Sequence, residues 1–178
     1  MPLISIVVPC YNEQESLPIF LKELDGVVHA MTQAHPDISF ETVLVDDGSA
    51  DATLTVMKAE AAAEHPYAIR WYSFSRNFGK EAALFAGLQH AKGDYVATMD
   101  ADMQDPPSLL PQMYEILQTE DYDNVATRRT TREGEPPVRS FCARMFYKLI
   151  NRISKADIVD GARDFRLKIG RASCRERV

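Results

Sequence analysis

The chain switches repeatedly between two patterns of apolar and polar residues, which predicts alternating strands and helices. Short apolar, β-branched runs are typical of buried strands, and they occupy residues 3–8, 40–45, 69–73 and 95–99. Residues 125–127 are read as a fifth strand. Helical spacing or composition predicts helices over residues 17–31, 49 or 51 to about 64, 80–90, 108 to about 117, and 139–153. Ser49 or Asp51 is expected to cap the second of these helices, and Ser108 the fourth.

The order of these elements is strand, helix, strand, helix, repeated along the chain. Such alternation predicts an α/β domain, a Rossmann-like and mainly parallel sheet with helices on both faces. The 178 residues suffice for one domain with a core of its own. In sheets of this kind, ligands bind outside the carboxyl ends of the strands.

Polar residues follow each of the first four predicted strands. The segments are Pro9–Glu13, 46–49, 75–80 and 100–104. All of them fall at the carboxyl edge of the predicted sheet, which favours a binding site there. The alternative for Asp100, Asp102 and Asp105 is a solvated turn beside the prolines at 106 and 107.

Several ligand classes are excluded by the spacing of these residues. No G-x-G occurs, which argues against a dinucleotide loop, and Gly79-Lys80 is followed by Glu81, which excludes a P-loop. An EF-hand starting at Asp100 would need Gly and Glu where the chain has Asp105 and Pro111.

A divalent ion shared with a diphosphate remains. Asp100, Asp102 and Gln104 offer hard oxygen ligands that suit Mg²⁺ or Mn²⁺. Asp46 and Asp47, after the neighbouring strand, could accept hydrogen bonds from a base or a ribose. Tyr11 could pack on the base.

Charge and cysteine content indicate which partners and which cellular compartment suit the protein. The net charge of −6 argues against a general nucleic-acid binder. Arginine-rich residues 128–178 suggest a ligand with several phosphates or a membrane surface, with an ordinary solvated helix as the alternative. Three distant cysteines give no zinc or redox spacing and suit a reducing cytoplasm. No signal peptide or apolar run of membrane-spanning length is recognised.

The last residues have a different character. Residues 169–178, IGRASCRERV, are polar and aperiodic, and their reverse translation resembles a sequencing-adapter read. The expectation is a catalytic domain over residues 1–168, incomplete at its C-terminus, followed by a non-native tail.

Five segments together resemble a known family. They are VVPCYNE, VDDGSADAT, SRNFGKEAAL, GDYVATMDADMQDPP and DFRL. In this order they are similar to the family 2 glycosyltransferases of the GT-A fold, in the branch of dolichol-phosphate mannose synthase and the bacterial polyprenyl-phosphate glycosyltransferases. The likeness covers residues 4–167.

The resemblance implies roles for individual residues. Asp100 and Asp102 would ligate the metal with Gln104, and Gly79 and Lys80 would lie near the diphosphate or nucleotide. Asp164 and Arg166 would line the donor and acceptor site. Arg128 and Arg139 would meet the phosphate of a lipid acceptor, although Ala143 stands where a helping serine is usual. The residues implied to hold the nucleoside are Pro9, Tyr11, Glu13, Asp46 and Asp47.

The implied reaction moves a sugar from a nucleotide-diphosphate sugar to a polyprenyl phosphate. An anionic phosphate oxygen would attack the anomeric carbon in line and invert its configuration, needing charge screening more than a general base. A hydroxyl acceptor would need a base, for which Asp164 is the candidate. Weaker alternatives are a nucleotidyltransferase and a non-catalytic binding fragment. The expected location is the cytoplasmic face of a membrane, with a homo-oligomer as an open possibility.

Overall fold

A computed structural model describes residues 1–128 and 162–170. Six strands form one sheet: β1 (Leu3–Cys10), β2 (Ser39–Asp46), β3 (Ala68–Ser73), β4 (Tyr95–Thr98), β5 (Asn124–Arg128) and β6 (Ala162–Ile169). Four α-helices accompany it: α1 (Ser16–Ala34), α2 (Thr53–Ala62), α3 (Lys80–His90) and α4 (Leu110–Thr119). The expected helix over residues 139–153 lies outside the described residues.

The sheet has the order β3-β2-β1-β4-β6-β5. Strands β1 to β4 run parallel, whereas β6 is antiparallel to both β4 and β5. The prediction of a mainly parallel α/β sheet is therefore confirmed. Strand β6 was not predicted as a strand, and it extends to Ile169, one residue past the expected domain boundary.

The two faces of the sheet are covered unequally. Buried residues of α1, α2 and α4 pack with the even-numbered side chains of β1 in the larger core, which includes Ile4, Ile6 and Phe20. On the other face, α3 packs over Val7 and Val43 in a smaller apolar cluster. Helices thus lie on both faces, as predicted, and their burial leaves the carboxyl edge of the sheet open.

Two expected helix starts were wrong or shifted. Ser108 does not cap α4, because a 3-10 turn (Pro107–Leu109) comes first and α4 begins at Leu110. Helix α2 begins at Thr53, whose backbone N–H donates to Oδ1 of Asp51 at 2.9 Å. The N-cap position is Ala52, so neither Ser49 nor Asp51 caps α2 as expected, although Asp51 bonds the first backbone N–H of the helix from the turn before it.

None of the helices in the described part of the chain is both long and apolar enough to cross a membrane.

Candidate active site

A cleft of about 300 Å³ opens at the carboxyl edge of the sheet. The ends of β1, β2 and β4 and the loop before α3 form its walls. Its lining residues are Pro9, Cys10, Tyr11, Glu13, Asp47, Asn77, Gly79, Lys80, Asp100, Ala101 and Asp102. The structure thus brings together most of the residues that the sequence assigned to nucleotide and metal.

The loops after β1 and β2 are tied to each other by side chains. The backbone N–H of Asn12 donates to Ser49 Oγ at 3.0 Å, and Asn12 Oδ1 accepts from the backbone N–H of Ala50 at 2.9 Å. Asn12 itself adopts φ 57°, the left-handed region that Asn tolerates better than most residues. The Glu13 carboxylate accepts a hydrogen bond from the Ser16 hydroxyl. These bonds fix the wall that carries Tyr11, whose side chain is exposed to the cleft.

Asp47 fixes the opposite wall. Its side chain is only 2% exposed, so its charge needs hydrogen-bond donors. Oδ1 accepts from the backbone N–H of Phe78 at 2.7 Å, and Oδ2 from that of Gly79 at 2.9 Å. Asp47 therefore holds the loop before α3 in place as well as lining the cleft.

Gly48 permits this loop to come close. It has φ 66°, and a Cβ at this position would lie 2.3 Å from the carbonyl carbon of Arg76 and 2.6 Å from the backbone nitrogen of Asn77. No side chain fits in that space. The residues directly after β2 thus set the position of the backbone around Asn77, which is exposed and lines the cleft.

Lys80, the first residue of α3, joins two carboxylates across the cleft. Its Nζ lies 2.7 Å from Oδ2 of Asp100 and 2.5 Å from Oδ2 of Asp164. Partial burial alone would disfavour the ammonium, but the hydrogen bonds and charges of Asp100 and Asp164 outweigh it and raise the pKa of Lys80. Helix α3, strand β6 and the loop after β4 therefore converge on one charge cluster.

Asp102 is exposed at the rim of the cleft, where its Oδ1 accepts from the backbone N–H of Gln104 at 3.0 Å. Met103 between them has φ 60°. Gln104 contacts Asp102 through its backbone but does not line the cleft. Among the described residues there is no cluster of three or more His, Cys, Asp or Glu side chains able to hold a metal by itself.

The donor set still fits a Mg²⁺ or Mn²⁺ ion that is shared with a ligand. Asp100 and Asp102 both line the cleft and supply hard oxygen atoms. Mg²⁺ commonly binds one or two carboxylates and takes its other ligands from water and phosphate oxygens. Two carboxylates are therefore enough when a diphosphate completes the coordination.

A comparison with models of known protein families shows the family to which the chain belongs. The model of the family described as Glycosyl transferase family 2 matches residues 5–169. The chain belongs to glycosyl transferase family 2.

Curated proteins share about two fifths of their residues with this chain over the matched region. The chain is 42% identical over 164 residues to the bactoprenol glucosyl transferase of Shigella phage SfV, covering 92% of this chain and 51% of that protein. It is 41% identical over 151 residues to the undecaprenyl-phosphate 4-deoxy-4-formamido-L-arabinose transferase of Sodalis glossinidius, covering 84% and 43%. The chain spans about half the length of the curated relatives that it matches.

Solved glycosyltransferase structures share the fold, which is GT-A, as the sequence predicted. S. aureus TarS 1-349 in complex with UDP-GlcNAc superposes with a TM-score of 0.65 at 17% identity, covering 100% of this chain and 48% of TarS. A mannosyltransferase from Pyrobaculum calidifontis in complex with GDP-Man and Mn²⁺ gives 0.63 at 21% identity, covering 94% and 44%.

The residues expected on the acceptor side of this family 2 domain are only partly described. Arg128 is the last residue of β5, and nothing is described of its side chain; Arg139 lies outside the described residues. Asp164 reaches the cleft through Lys80. Arg166 is two residues further along β6 and pairs with Thr98 and Ala126, which sets it back from the edge of the sheet.

Asp46 does not reach the cleft, although the sequence grouped it with Asp47. It is 2% exposed, and its Oδ1 accepts from the backbone N–H of Ser49 at 3.0 Å. Its Oδ2 accepts from Ser73 Oγ at 2.8 Å. Asp46 is the last residue of β2 and is held by Ser49 and Ser73, whereas Asp47, the first residue after the strand, is held by the loop before α3 and lines the cleft.

Three lining residues were missed: Cys10, Asn77 and Ala101. Asn77 lies in the polar segment after β3, so its position was available as a signal, whereas Ala101 lies between the two aspartates and carries no chemical signal. Burial, together with the charges of Glu13, Asp46 and Asp100, raises the pKa of the Cys10 thiol far above its usual range. Cys10 is therefore a neutral, apolar part of the cleft floor.

Proposed function

We propose that the protein is an inverting glycosyltransferase that moves a sugar from a nucleotide-diphosphate sugar to a polyprenyl phosphate. The observation that carries this proposal is a cleft at the carboxyl edge of the sheet that is lined by Asp100, Asp102 and Lys80, with Asp164 bound to Lys80 beside it. Support also comes from relatives named for transfer to bactoprenol and undecaprenyl phosphate.

The donor occupies the cleft with its nucleoside toward β1 and β2. Tyr11 offers a ring face for the base, and Glu13 and Asn77 offer polar groups. Asp47 keeps the loop before α3 in its place through the N–H groups of Phe78 and Gly79. Pro9 and Gly79 also line the cleft, and neither has a polar side chain to offer the donor.

The diphosphate lies at the charged end of the cleft. Asp100 and Asp102 would hold Mg²⁺ or Mn²⁺, with Gln104 as a predicted third ligand; when bound, the ion neutralises charge on the leaving nucleoside diphosphate. A neighbour of the same fold was solved with GDP-Man and Mn²⁺. Lys80 supplies a positive charge from the protein itself at the same place.

The acceptor phosphate oxygen attacks the anomeric carbon from the side opposite the diphosphate. Such an oxygen is already anionic, so the site must position it and balance charge rather than remove a proton. Arg128 and Arg139 are proposed to bind the acceptor phosphate, and Arg166 to contribute from β6. Asp164, held by Lys80, borders the acceptor side of the donor.

A sugar hydroxyl is the alternative acceptor, and it would require Asp164 as general base. The Asp164 carboxylate already accepts a hydrogen bond from the Lys80 ammonium at 2.5 Å. The carboxylate oxygen that Lys80 contacts would have to give up this hydrogen bond before it could accept a proton from a hydroxyl. This contact favours the phosphate acceptor.

The membrane interaction is proposed for the basic segment that contains Arg139, Arg144, Lys148 and Arg152, acting at the cytoplasmic face. Anionic lipids attract clusters of lysine and arginine. Reversing these four charges should abolish sedimentation with vesicles that contain anionic lipid. Unchanged sedimentation would remove this part of the proposal.

The nucleotide site is tested by calorimetric titration of UDP and GDP with and without Mn²⁺. Wild type should bind one of them in a metal-dependent way, and Asp102→Asn should lose this binding. Asp121→Asn removes the same charge from an exposed turn and should bind normally. Failure of folded wild type to bind either nucleotide would overturn the proposed donor.

The acceptor is tested separately, with the corresponding nucleotide sugar and either undecaprenyl phosphate or an oligosaccharide. Labelled sugar should appear in the lipid fraction and require the phosphate group, since undecaprenol should be inactive. Transfer to the oligosaccharide alone would replace the phosphate acceptor by the hydroxyl acceptor.

A further inference from the structure

Lys80 occupies the place in the cleft where positive charge is needed when the donor is bound. Its ammonium contacts Asp100, one of the two carboxylates suited to the divalent ion, at 2.7 Å. The same ammonium contacts Asp164 on β6 at 2.5 Å. It is thus held between the metal-binding side and the acceptor side of the cleft.

We propose that Lys80 is an internal counter-cation: it pairs with Asp100 until the divalent ion and the nucleotide diphosphate bind together, and then pairs with the diphosphate. This inference rests on the proposed function and deepens it. It assigns Lys80 a positioning role that makes metal binding depend on the nucleotide.

The charge balance of the cluster supports such an exchange. The cleft holds the carboxylates of Asp100 and Asp102 with that of Asp164 beside them, and the Lys80 ammonium contacts both Asp100 and Asp164. A divalent ion that binds Asp100 without a nucleotide competes with Lys80 for this carboxylate and also repels the ammonium. The ion pair that is lost then weakens the binding of the ion.

A nucleotide diphosphate reverses this balance. Its negative oxygens give the released ammonium a new partner, so the cost of breaking the contact between Lys80 and Asp100 is offset. The amino end of α3, where Lys80 lies, also favours an anion through the helix dipole. Asp164 keeps the side chain anchored in the cleft during the exchange. Metal and nucleotide therefore bind with positive coupling, and each strengthens the other.

The test compares wild type with Lys80→Met by calorimetry and by the electron paramagnetic resonance signal of free Mn²⁺. Without nucleotide, the variant should bind Mn²⁺ about three- to tenfold more tightly, because a competing cation is gone. At saturating Mn²⁺, it should bind UDP or GDP at least about tenfold more weakly, because a phosphate partner is gone. Lys22→Met removes a charge from an exposed position of α1 and should change neither.

The opposite signs of the two effects separate this role from a structural one, which would weaken both. Equal or weaker binding of Mn²⁺ alone by Lys80→Met would overturn the proposal. If that variant does not fold, Lys80→Gln, which keeps a polar side chain without the charge, gives the same comparison. The Mn²⁺ measurement needs no nucleotide, so it can be read even if UDP and GDP fail to bind and the proposed donor is wrong.

Discussion

The Oδ2 atom of Asp47 accepts a hydrogen bond from the backbone N–H of Gly79 at 2.9 Å, which joins the end of β2 to the start of α3. The second oxygen of the same carboxylate accepts from Phe78. A buried charge that satisfies two backbone donors is difficult to replace. The loop that carries Asn77 and leads to Lys80 consequently depends on one side chain of another element.

Replacing Asp47 by Asn should lower both stability and nucleotide affinity. The Asn side chain has only one acceptor oxygen, so it can accept from only one of the N–H groups of Phe78 and Gly79. Its NH₂ group would face the other N–H, and that backbone donor would lose its partner. We expect a loss of about 1–3 kcal/mol in the free energy of unfolding, measured with urea. Asp121→Asn, at an exposed turn, is the matched control and should lie within about 0.5 kcal/mol of wild type. Equal stability of the two variants would contradict the role of Asp47.

Two glycines offer a paired test of the close approach beneath the cleft. Gly48→Ala should destabilise the protein by about 2–4 kcal/mol, because Ala strains at φ 66° and its Cβ meets the backbone of Arg76. Gly26→Ala, in the interior of α1 with nothing within 4 Å of the new Cβ, should instead stabilise it by about 0.5–1 kcal/mol. Urea unfolding of both variants measures the difference. A Gly48→Ala variant as stable as wild type would show that the close approach to Arg76 does not restrict this position.

Asn77→Ala should weaken nucleotide binding without lowering stability. Its amide has no hydrogen-bond partner within the described part of the protein, so removing it leaves no buried group unsatisfied. Losing one hydrogen bond to the ligand should weaken binding of UDP or GDP roughly three- to tenfold in a calorimetric titration with Mn²⁺. Gln89→Ala removes an exposed amide near the far end of α3 and serves as the control. An unchanged affinity for Asn77→Ala would exclude a contact with the nucleotide.

Glu41 gives a prediction about pH. Burial opposes its charged form, but hydrogen bonds from Ser5, from the backbone N–H of Lys92 and from Arg70, together with the charge of Arg70, lower its pKa below the ordinary value of 4.5. A lowered carboxyl pKa stabilises the folded state above the unfolded pKa, and this stability is lost as pH falls through the folded value.

Glu41→Gln should therefore be less stable than wild type at pH 7 by about 1.5–3 kcal/mol, the range for hydrogen bonds to a charged group. The difference should shrink as pH falls below 4.5, where wild type also becomes protonated. Urea unfolding at a series of pH values measures it, with the exposed Glu23→Gln as control. A difference that does not change with pH would mean that packing, and not charge, explains the effect.

The first four strands and their helices could be predicted because each carries a strong periodic signal and parallel order follows from alternation. Strand β6 could not be placed in the same way. Phe165 and Leu167 are buried and alternate with more exposed residues, a strand pattern that was read only as the motif DFRL. Its position between β4 and β5 depends on pairing between distant segments, which periodicity does not contain.

The site shows a similar division. Convergence of polar loops at one edge could be predicted from the order of elements, whereas the choice between Asp46 and Asp47 depends on which way each side chain points. Trp71 is an apolar residue that sequence alone would favour for the core, yet it lies on the edge strand β3, is 39% exposed, and has the Lys58 ammonium 5.1 Å from its ring centroid. Edge position is a property of the sheet, not of the local sequence.

The place of β6 in the sheet also has a consequence for the order of events during translation. Lys80 and Asp164 are 84 residues apart, and β5 gains its described partner strand only through β6. Because a growing chain folds from its amino end, β1 to β4 and the nucleotide wall can assemble while β6 is still to be synthesised. On the nascent chain, Lys80 then has Asp100 as its carboxylate partner until the segment with Asp164 emerges and closes the other side of the cleft.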